Sequence, residues 1–350
     1  MAKAASATDI FPHGETDEPL LHGGDLDAAR RQFPGAPEPF IDLSTGINPN
    51  SYPVPHLPAD AFARLPDRAA TVALATVAAA AYGAPSAQHV VPAPGTQILL
   101  PLVAGLIRPG RAAILSPTYN EHARCAAIAG HSVTQVHDTA DLGDADLAIV
   151  TSPNNPDGRT IERDTMLAVA AKLRRHGGML VVDEAFADTA PPGSSLAGDV
   201  TRNIIVLRSF GKFFGLAGIR LGFALLDRPL AARLDAILGP WPVSGPALAI
   251  GAKALADAAW IERTRHDLAH AARRLDAMLG NAGLDVIGGT ALFRLVRTEA
   301  AHALFHHFGR AGILTRIFPD NPTWLRFGLP PDEAAWRRLE ISLGSMRDNR

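Results

Sequence analysis

One lysine lies in a run of small and apolar residues. Lys212 belongs to the segment RSFGKFFGLAGIRLG (208–222), with Ser209 three residues before it and Arg220 eight residues after it. Three phenylalanines in this segment flank the lysine, which predicts that its ammonium is shielded from water. Desolvation lowers the pKa of a lysine and makes its amine a nucleophile that can form a Schiff base. The segment therefore predicts a reactive lysine near a hydroxyl and a guanidinium.

Other polar residues follow short apolar runs that we predict to be strands. Helical stretches of about 10–15 residues separate these runs, which indicates an α/β fold with a mainly parallel sheet and crossover helices. In such a sheet, ligands bind beyond the carboxyl ends of the strands. We therefore expect one crevice at this edge, formed by the residues that follow the runs: Thr118, Tyr119, Asn155, Asp183, Ser209 and Lys212.

The pattern predicts three parts along the chain. Residues 1–55 form an N-terminal arm that is rich in glycine, proline and asparagine, and residues 56–242 form the large α/β domain. Residues 243–350 form a smaller α+β domain, with a long helical stretch that breaks near Asp257.

Composition excludes several classes of function. The 350 residues are 47% hydrophobic, and 33 Lys and Arg against 35 Asp and Glu give a net charge of -2, which argues against a nucleic-acid-binding protein. Apolar runs are too short to span a bilayer, and the N-terminus lacks the apolar region of a signal peptide. The single Cys125 fits a reducing compartment. We expect a cytoplasmic protein without a membrane, nucleic-acid or metal partner.

Three motifs together resemble a known family. SPNNPDG (152–158), VVDEAF (181–186) and the lysine segment occur in this order, with Asn155, Asp183 and Lys212 at intervals of 28 and 29 residues. They resemble the fold-type-I pyridoxal-phosphate enzymes, the aspartate aminotransferase superfamily, over nearly the whole chain. The resemblance implies a seven-stranded, mainly parallel sheet, pyridoxal 5'-phosphate as cofactor, and a homodimer with active sites near its interface.

The resemblance also implies a role for each crevice residue. Lys212 would bind the cofactor aldehyde, and Asp183 would face the ring nitrogen and keep it protonated. Asn155 would bind the phenolate oxygen, and the ring of Tyr119 would cover the cofactor, so that Lys212, Asp183 and Tyr119 are the expected catalytic residues. Groups that donate hydrogen bonds or carry positive charge would bind the phosphate: Gly95, Thr96, Gln97, Ser209 and Arg220.

Several of these assignments have a structural alternative, and Lys212 itself could be a surface lysine. Asn155 could serve only as a turn former, because Asn-Pro favours turns in any protein. Gly95 and Thr96 could serve only to begin a helix, Tyr119 could be an ordinary core aromatic, and Asp183 with Glu184 could cap a helix or bind a metal.

Other segments resemble one branch of the superfamily. HGGD (22–25), FIDLSTGINP (40–49) and GPWPVSGPALA (239–249) are similar to the threonine-phosphate decarboxylases of cobalamin biosynthesis. Phe186 stands where histidinol-phosphate aminotransferases tend to have a tyrosine. The resemblance implies decarboxylation of O-phospho-L-threonine to (R)-1-amino-2-propanol O-2-phosphate. A histidinol-phosphate-type aminotransferase and an inactive relative that serves as a binding partner are the alternatives.

Such a substrate carries two anions that need partners. The resemblance places the α-carboxylate at Arg326 in WLRFGL, and Arg316 in ILTRIF is the next cation. The substrate phosphate would meet the loop formed by His22, Gly23 and Gly24, with help from Asn48.

The chain departs from related enzymes at one position. They often have an RYPD segment, whose tyrosine reaches the cofactor phosphate in the partner subunit, whereas this chain reads RLPD with Leu65 in that place. Either the contact is absent, or Tyr52 or another residue supplies it.

Overall fold

The structure is a computed structural model that describes residues 23–191 and 193–346. Its strands are β1 (Ile41–Asp42), β2 (Val90–Ala93), β3 (Arg111–Leu115), β4 (Ser132–Val136), β5 (Leu147–Thr151), β6 (Met179–Asp183), β7 (Ile204–Ser209), β8 (Gly222–Leu225), β9 (Asp285–Thr290), β10 (Phe293–Arg297), β11 (Ile313–Leu314), β12 (Arg316–Ile317) and β13 (Trp324–Gly328). Its α-helices are α1 (Leu26–Gln32), α2 (Asp60–Ala63), α3 (Arg68–Tyr82), α4 (Thr96–Leu106), α5 (Glu121–Ile128), α6 (Arg163–Arg174), α7 (Phe210–Phe213), α8 (Arg228–Leu238), α9 (Gly245–Ala256), α10 (Ala258–Asn281), α11 (Ala301–Arg310) and α12 (Glu333–Ser345).

A seven-stranded sheet forms the centre of the fold. Its strands lie in the order β2-β8-β7-β6-β5-β3-β4, and neighbouring strands from β7 to β4 are parallel. Strand β8 runs antiparallel to both β2 and β7, so β2 and β7 point the same way. The predicted α/β fold with a mainly parallel sheet is confirmed.

Both faces of this sheet are buried. In β7, Ile204 and Val206 join the core on one side, whereas Ile205 and Leu207 join the core on the other. Successive side chains of a strand point to opposite faces, so a sheet covered on both sides needs continuous apolar runs. This burial on both faces explains why the strands appear in the sequence as continuous apolar runs.

The sequence analysis did not identify two strands, β4 and β8. Strand β4 lies at the edge of the sheet and its five residues are exposed or half-buried, so it lacks a continuous apolar run. Strand β8 has only four residues and follows the glycine-rich segment directly. The predicted break near Asp257 is confirmed, because Asp257 ends α9 and its carboxylate accepts a hydrogen bond from the Trp260 amide at the start of α10.

A second sheet belongs to the smaller α+β part. It is antiparallel, with the order β12-β13-β10-β9. Among the contacts that join this region to the rest of the chain, β1 pairs with β11 and α9 packs on α3. The boundaries at residues 55 and 242 stay a prediction. No helix in the described ranges combines the length and apolar character needed to cross a membrane.

Candidate active site

The topology brings the predicted crevice residues to one edge of the sheet. The parallel strands β3, β5, β6 and β7 end at this edge, and β2 ends there as well. Because β8 runs the opposite way, it begins there: Gly222 pairs with Ala93 of β2 and with Ser209 of β7. Arg220 lies two residues before Gly222 and therefore reaches the same edge.

A cavity of about 510 Å³ lies at this edge. Its volume is in the usual range for a small-molecule site. Thirteen of the predicted residues line it: Gly23, Gly95, Thr96, Gln97, Thr118, Tyr119, Asn155, Asp183, Ser209, Lys212, Arg220, Arg316 and Arg326.

Lys212 is a weakly basic lysine in this cavity. It is half-buried on α7, and burial lowers the pKa of Lys212 to about 8. The positive charge of Arg326 lowers the pKa as well, whereas the carboxylate of Asp183 raises it. A lysine with this pKa has a substantial neutral fraction near pH 8, as a nucleophilic amine requires.

The structure corrects the expected source of this shielding. Phe210, Phe213 and Phe214 are almost completely buried, and the Phe214 ring stacks on the Phe210 ring at 4.4 Å. Helix positions separated by three or four residues share a face, so these rings pack into the core on a different side from Lys212. The ring near the Lys212 ammonium is that of Phe186, with Nζ 5.9 Å from its centroid.

The lowered pKa of Lys212 predicts a pH profile. In protein stripped of carbonyl ligands, labelling of Lys212 by an amine reagent should rise about tenfold per pH unit and level off above about pH 8, because only the neutral amine reacts. Replacing Arg326 by Met removes a positive charge, so the inflection should move to higher pH. Peptide mapping by mass spectrometry measures both profiles. An inflection near pH 10 in the unchanged protein would contradict this prediction.

Asp183 forms a buried pair with a histidine that the sequence analysis missed. Asp183 Oδ2 lies 3.0 Å from Nε2 of His122, and Asp183 Oδ1 accepts a hydrogen bond from the Ala185 amide at 3.0 Å. His122 is only 2% exposed, and its ring packs edge-to-face on the Tyr119 ring. His122 lies three residues after Tyr119, and its amide donates a hydrogen bond to the Tyr119 carbonyl at 3.1 Å. This closeness to Tyr119 in the sequence is the signal that could have identified the histidine.

The start of α4 and the Arg220 side chain form a cradle for an anion. The first amides of a helix have no partner within the helix and attract negative charge. Gly95, just before α4, has φ +87°, and a Cβ added there would lie 2.6 Å from Arg220 Nη2. The position therefore needs glycine, both for its backbone conformation and for the close approach of the guanidinium.

Two arginines and Asn155 meet on the opposite side of the cavity. Arg326 Nη1 donates a hydrogen bond to Asn155 Oδ1 at 2.5 Å, which joins β13 to the SPNNPDG loop. Burial lowers the pKa of Arg326 to about 9, and the charge of Arg316 lowers it as well. Burial also lowers the pKa of Arg316. Burial and mutual repulsion make it unfavourable for both arginines to be charged in this cavity. A bound anion would reduce this unfavourable free energy.

The family model for class I and II aminotransferases matches residues 49–337. The chain belongs to this family.

Individual relatives agree with this family membership. The threonine-phosphate decarboxylase of a Sinorhizobium species is 46% identical over 94% of this chain and 98% of that protein. The threonine-phosphate decarboxylase of Pseudomonas aeruginosa is 42% identical over 93% of this chain and 97% of that protein. A crystal structure of histidinol-phosphate aminotransferase from Sinorhizobium meliloti, in complex with pyridoxal-5'-phosphate, superposes with a TM-score of 0.78 at 21% identity, over 97% of this chain and all of that one.

The cofactor of this aminotransferase family is pyridoxal phosphate, and the donor set of the cavity fits it. Lys212 offers an amine for the aldehyde, and Asp183 offers a carboxylate for a protonated ring nitrogen. The α4 N-terminus and Arg220, packed against Gly95, form a cradle for the phosphate.

Gln97 has a side-chain contact that the sequence did not predict. Its Oε1 accepts a hydrogen bond from the Tyr119 hydroxyl at 3.1 Å, and its Nε2 donates one to Glu121 Oε2 at 2.8 Å. Burial raises the pKa of Tyr119 to about 12, and the charge of Glu121 contributes to the increase. Tyr119 therefore stays a neutral phenol, and its ring is anchored at the hydroxyl end.

Asn154, which the sequence analysis did not single out, joins the two loops that carry Tyr119 and Asn155. It is completely buried, and its Nδ2 donates hydrogen bonds to the Pro117 carbonyl and to Asp157. Its Oδ1 accepts a hydrogen bond from the Thr118 hydroxyl at 2.7 Å.

The structure does not place all of the predicted substrate-binding residues at the cavity. Asn48 does not line the cavity, because its side chain donates to the Phe213 carbonyl and accepts from the Asn50 amide. Gly24 does not line it either, and His22 lies outside the described residues. In contrast, the neighbouring residues Ser44, Thr45 and Gly46, which had no assigned role, do line the cavity.

Tyr52 is held within its own chain. It is 2% exposed and its hydroxyl donates a hydrogen bond to Asp257. The chain has three tyrosines. Tyr82 is buried as well, and Tyr119 lines the cavity of the same chain.

Proposed function

We propose that this enzyme decarboxylates O-phospho-L-threonine to (R)-1-amino-2-propanol O-2-phosphate, with pyridoxal phosphate as cofactor. The observation that carries the proposal is the close, nearly full-length similarity to two threonine-phosphate decarboxylases. The cavity supports it, because a reactive amine lies between buried cations and a glycine loop, as a substrate with an amine and two anionic ends requires.

The proposed roles follow from the positions of the side chains. Lys212 would hold the cofactor through its aldehyde and release it to the substrate amine, and Asp183, paired with His122, would keep the ring nitrogen protonated. When bound, pyridoxal phosphate accepts the electron pair that is released when a bond at Cα breaks. Asn155 would donate a hydrogen bond to the phenolate oxygen, and the ring of Tyr119 would cover the cofactor.

Substrate orientation determines which bond at Cα breaks. Arg326, with Arg316 beside it, binds the α-carboxylate, whereas Gly23 and His22 bind the phosphate at the other end. Two fixed ends leave the substrate a single orientation in the cavity, which is how one set of residues can favour decarboxylation over proton removal.

Phe186 supports the decarboxylase branch over the aminotransferase branch. Its ring is buried, lines the cavity and packs edge-to-face on Phe293 with centroids 5.2 Å apart. A phenyl ring cannot donate the hydrogen bond to the cofactor that a tyrosine at this position would make.

The proposal also includes that the enzyme forms a homodimer, is located in the cytoplasm and acts in cobalamin biosynthesis. Phe62, Leu65 and Val72 expose more than half of their side-chain surface on a short segment, which is consistent with an interface in a dimer. The single cysteine fits a reducing compartment.

Carboxyl-labelled phosphothreonine tests this function. We expect stoichiometric release of labelled CO₂, no keto acid, and an amine phosphate as the other product. L-threonine is the matched control, because it lacks only the phosphate and should react far more slowly. A keto acid with stoichiometric pyridoxamine phosphate would indicate a histidinol-phosphate-type aminotransferase, and no turnover would indicate an inactive relative. Phosphoserine lacks only the methyl group of phosphothreonine, so its rate in the same assay measures how much that methyl group contributes to substrate preference.

A further inference from the structure

Ser44 contacts both of the regions that the proposed function assigns to substrate anions. It is 1% exposed, and it lies in the segment that follows β1. Its Oγ accepts a hydrogen bond from the Gly24 amide at 2.8 Å, and its carbonyl oxygen accepts one from Arg326 Nη2 at 2.6 Å. Ser44 thus binds the loop that contains Gly23 and Gly24 through its side chain, and it binds Arg326 through its backbone.

The glycine loop packs directly on Ser44. A Cβ added at Gly23 would lie 2.5 Å from the Ser44 carbonyl oxygen and 2.8 Å from Ser44 Oγ. Gly24 has φ +93°, a conformation that residues with side chains rarely adopt. The two glycines therefore let the backbone of the loop approach Ser44 closely. The hydrogen bond between the Gly24 amide and the Ser44 hydroxyl then fixes the position of the loop.

Asp42 fixes the orientation of the Ser44 hydroxyl. Asp42 Oδ1 accepts hydrogen bonds from Ser44 Oγ at 2.5 Å and from the Ser44 amide at 2.8 Å. Because the hydroxyl hydrogen points to the carboxylate, a lone pair of Oγ is directed to the Gly24 amide. Hydrogen bonds in such a chain strengthen one another.

The segment that carries Ser44 is itself held against the strand of Arg326. The Leu43 amide donates to the Leu314 carbonyl at 2.8 Å, and the Gly328 amide donates to the Leu43 carbonyl at 2.6 Å. Gly328 is the last residue of β13, two residues after Arg326. The position of Ser44 relative to the guanidinium is therefore set by backbone pairing.

We infer that Ser44 is a positioning residue that sets the distance between the phosphate-binding loop and the carboxylate-binding arginine. The inference rests on the proposed function for the assignment of the two anions. Ser44 would therefore help to determine which length of substrate fits. The loop that contains Gly23 and Gly24 can bind a phosphate only at the position in which the Ser44 hydroxyl holds it.

The Ser44→Ala variant separates the two functions of the residue. Alanine keeps the backbone carbonyl that binds Arg326 but removes the hydroxyl that binds the Gly24 amide. In the holoenzyme, hydrogen exchange of the peptide that contains the Gly24 amide should become about tenfold faster. KM for phosphothreonine should rise about five- to tenfold with kcat within twofold, because the loss of one hydrogen bond weakens binding of the phosphate end.

Two further variants make the experiment specific. Ser44→Thr retains a hydroxyl and should restore the slow exchange and the low KM. Ser132→Ala, at the exposed start of β4 and outside the cavity lining, should leave both values unchanged. If Ser44→Ala does not fold, Asp42→Asn weakens the same chain of hydrogen bonds and should change both values in the same direction.

The two measurements distinguish failure of this inference from failure of the proposed function. Exchange at Gly24 does not depend on the reaction, so it tests the contact even if phosphothreonine is not the substrate. Unchanged exchange in Ser44→Ala would overturn the inference and leave the decarboxylase proposal intact. Faster exchange with an unchanged KM for phosphothreonine would overturn the positioning role. A kcat that falls in parallel with the melting temperature would indicate a structural role only.

Discussion

Replacing Lys212 with alanine should lower the rate of phosphothreonine decarboxylation by about 10³-fold or more, because the variant loses the amine that we propose to hold the cofactor and to release it to the substrate. Borohydride should no longer attach the cofactor covalently to the chain. The cavity should otherwise persist, since the core packing of α7 depends on Phe210, Phe213 and Phe214 rather than on the lysine.

Absorption spectra before and after borohydride reduction measure this effect, together with peptide mapping of the reduced product. Lys212→Arg keeps a positive charge but cannot form a Schiff base, so it should be as inactive as Lys212→Ala. Lys253→Ala, on the exposed surface of α9, is the matched control and should behave as the unchanged enzyme. A Lys212→Ala spectrum that still shows a reducible link would remove the basis of the proposed function.

The lowered pKa values in the cavity explain why it should favour anionic ligands. The cations Lys212, Arg220, Arg316 and Arg326 all line one cavity. Burial and mutual repulsion lower the pKa of Lys212 to about 8 and that of Arg326 to about 9. Negative charge on a cofactor or substrate would reduce this repulsion, so the free energy stored among the cations contributes to binding.

The sequence predicted those parts of the site that follow from local rules. A buried parallel sheet requires continuous apolar runs, and a polar residue after such a run must lie at the carboxyl edge. This rule, together with the order of the motifs, was sufficient to identify Asn155, Asp183 and Ser209 as residues of one cavity.

Other features depend on contacts between segments that are distant in the chain. The bond between Ser44 and Arg326 spans 282 residues, and the pair between His122 and Asp183 spans 61. No local pattern specifies such a pairing. The position of Asn48 outside the cavity lining has the same cause, because the partner of its side chain, the Phe213 carbonyl, is 165 residues away.

A buried ion triad lies beside the catalytic strand ends and should account for much of their stability. Arg208, next to Ser209, donates hydrogen bonds to Glu184 at 2.9 Å and to Asp188 at 2.5 Å. All three side chains are less than a tenth exposed. Glu184 follows Asp183 directly, so the triad joins the ends of β6 and β7, which carry Asp183 and Ser209 of the cavity lining.

Replacing Arg208 with methionine should lower the free energy of unfolding by about 3–5 kcal/mol, because two buried carboxylates lose their cation. Combining it with Glu184→Gln and Asp188→Asn should recover a large part of this loss, since the buried charges disappear together. Arg297→Met is the matched control: Arg297 and Asp285 form an ion pair of 3.0 Å with both side chains about 60% exposed, and its loss should cost less than about 1 kcal/mol. Urea denaturation of the four proteins measures these differences. An Arg208→Met variant no less stable than Arg297→Met would show that the triad does not hold the two strand ends together.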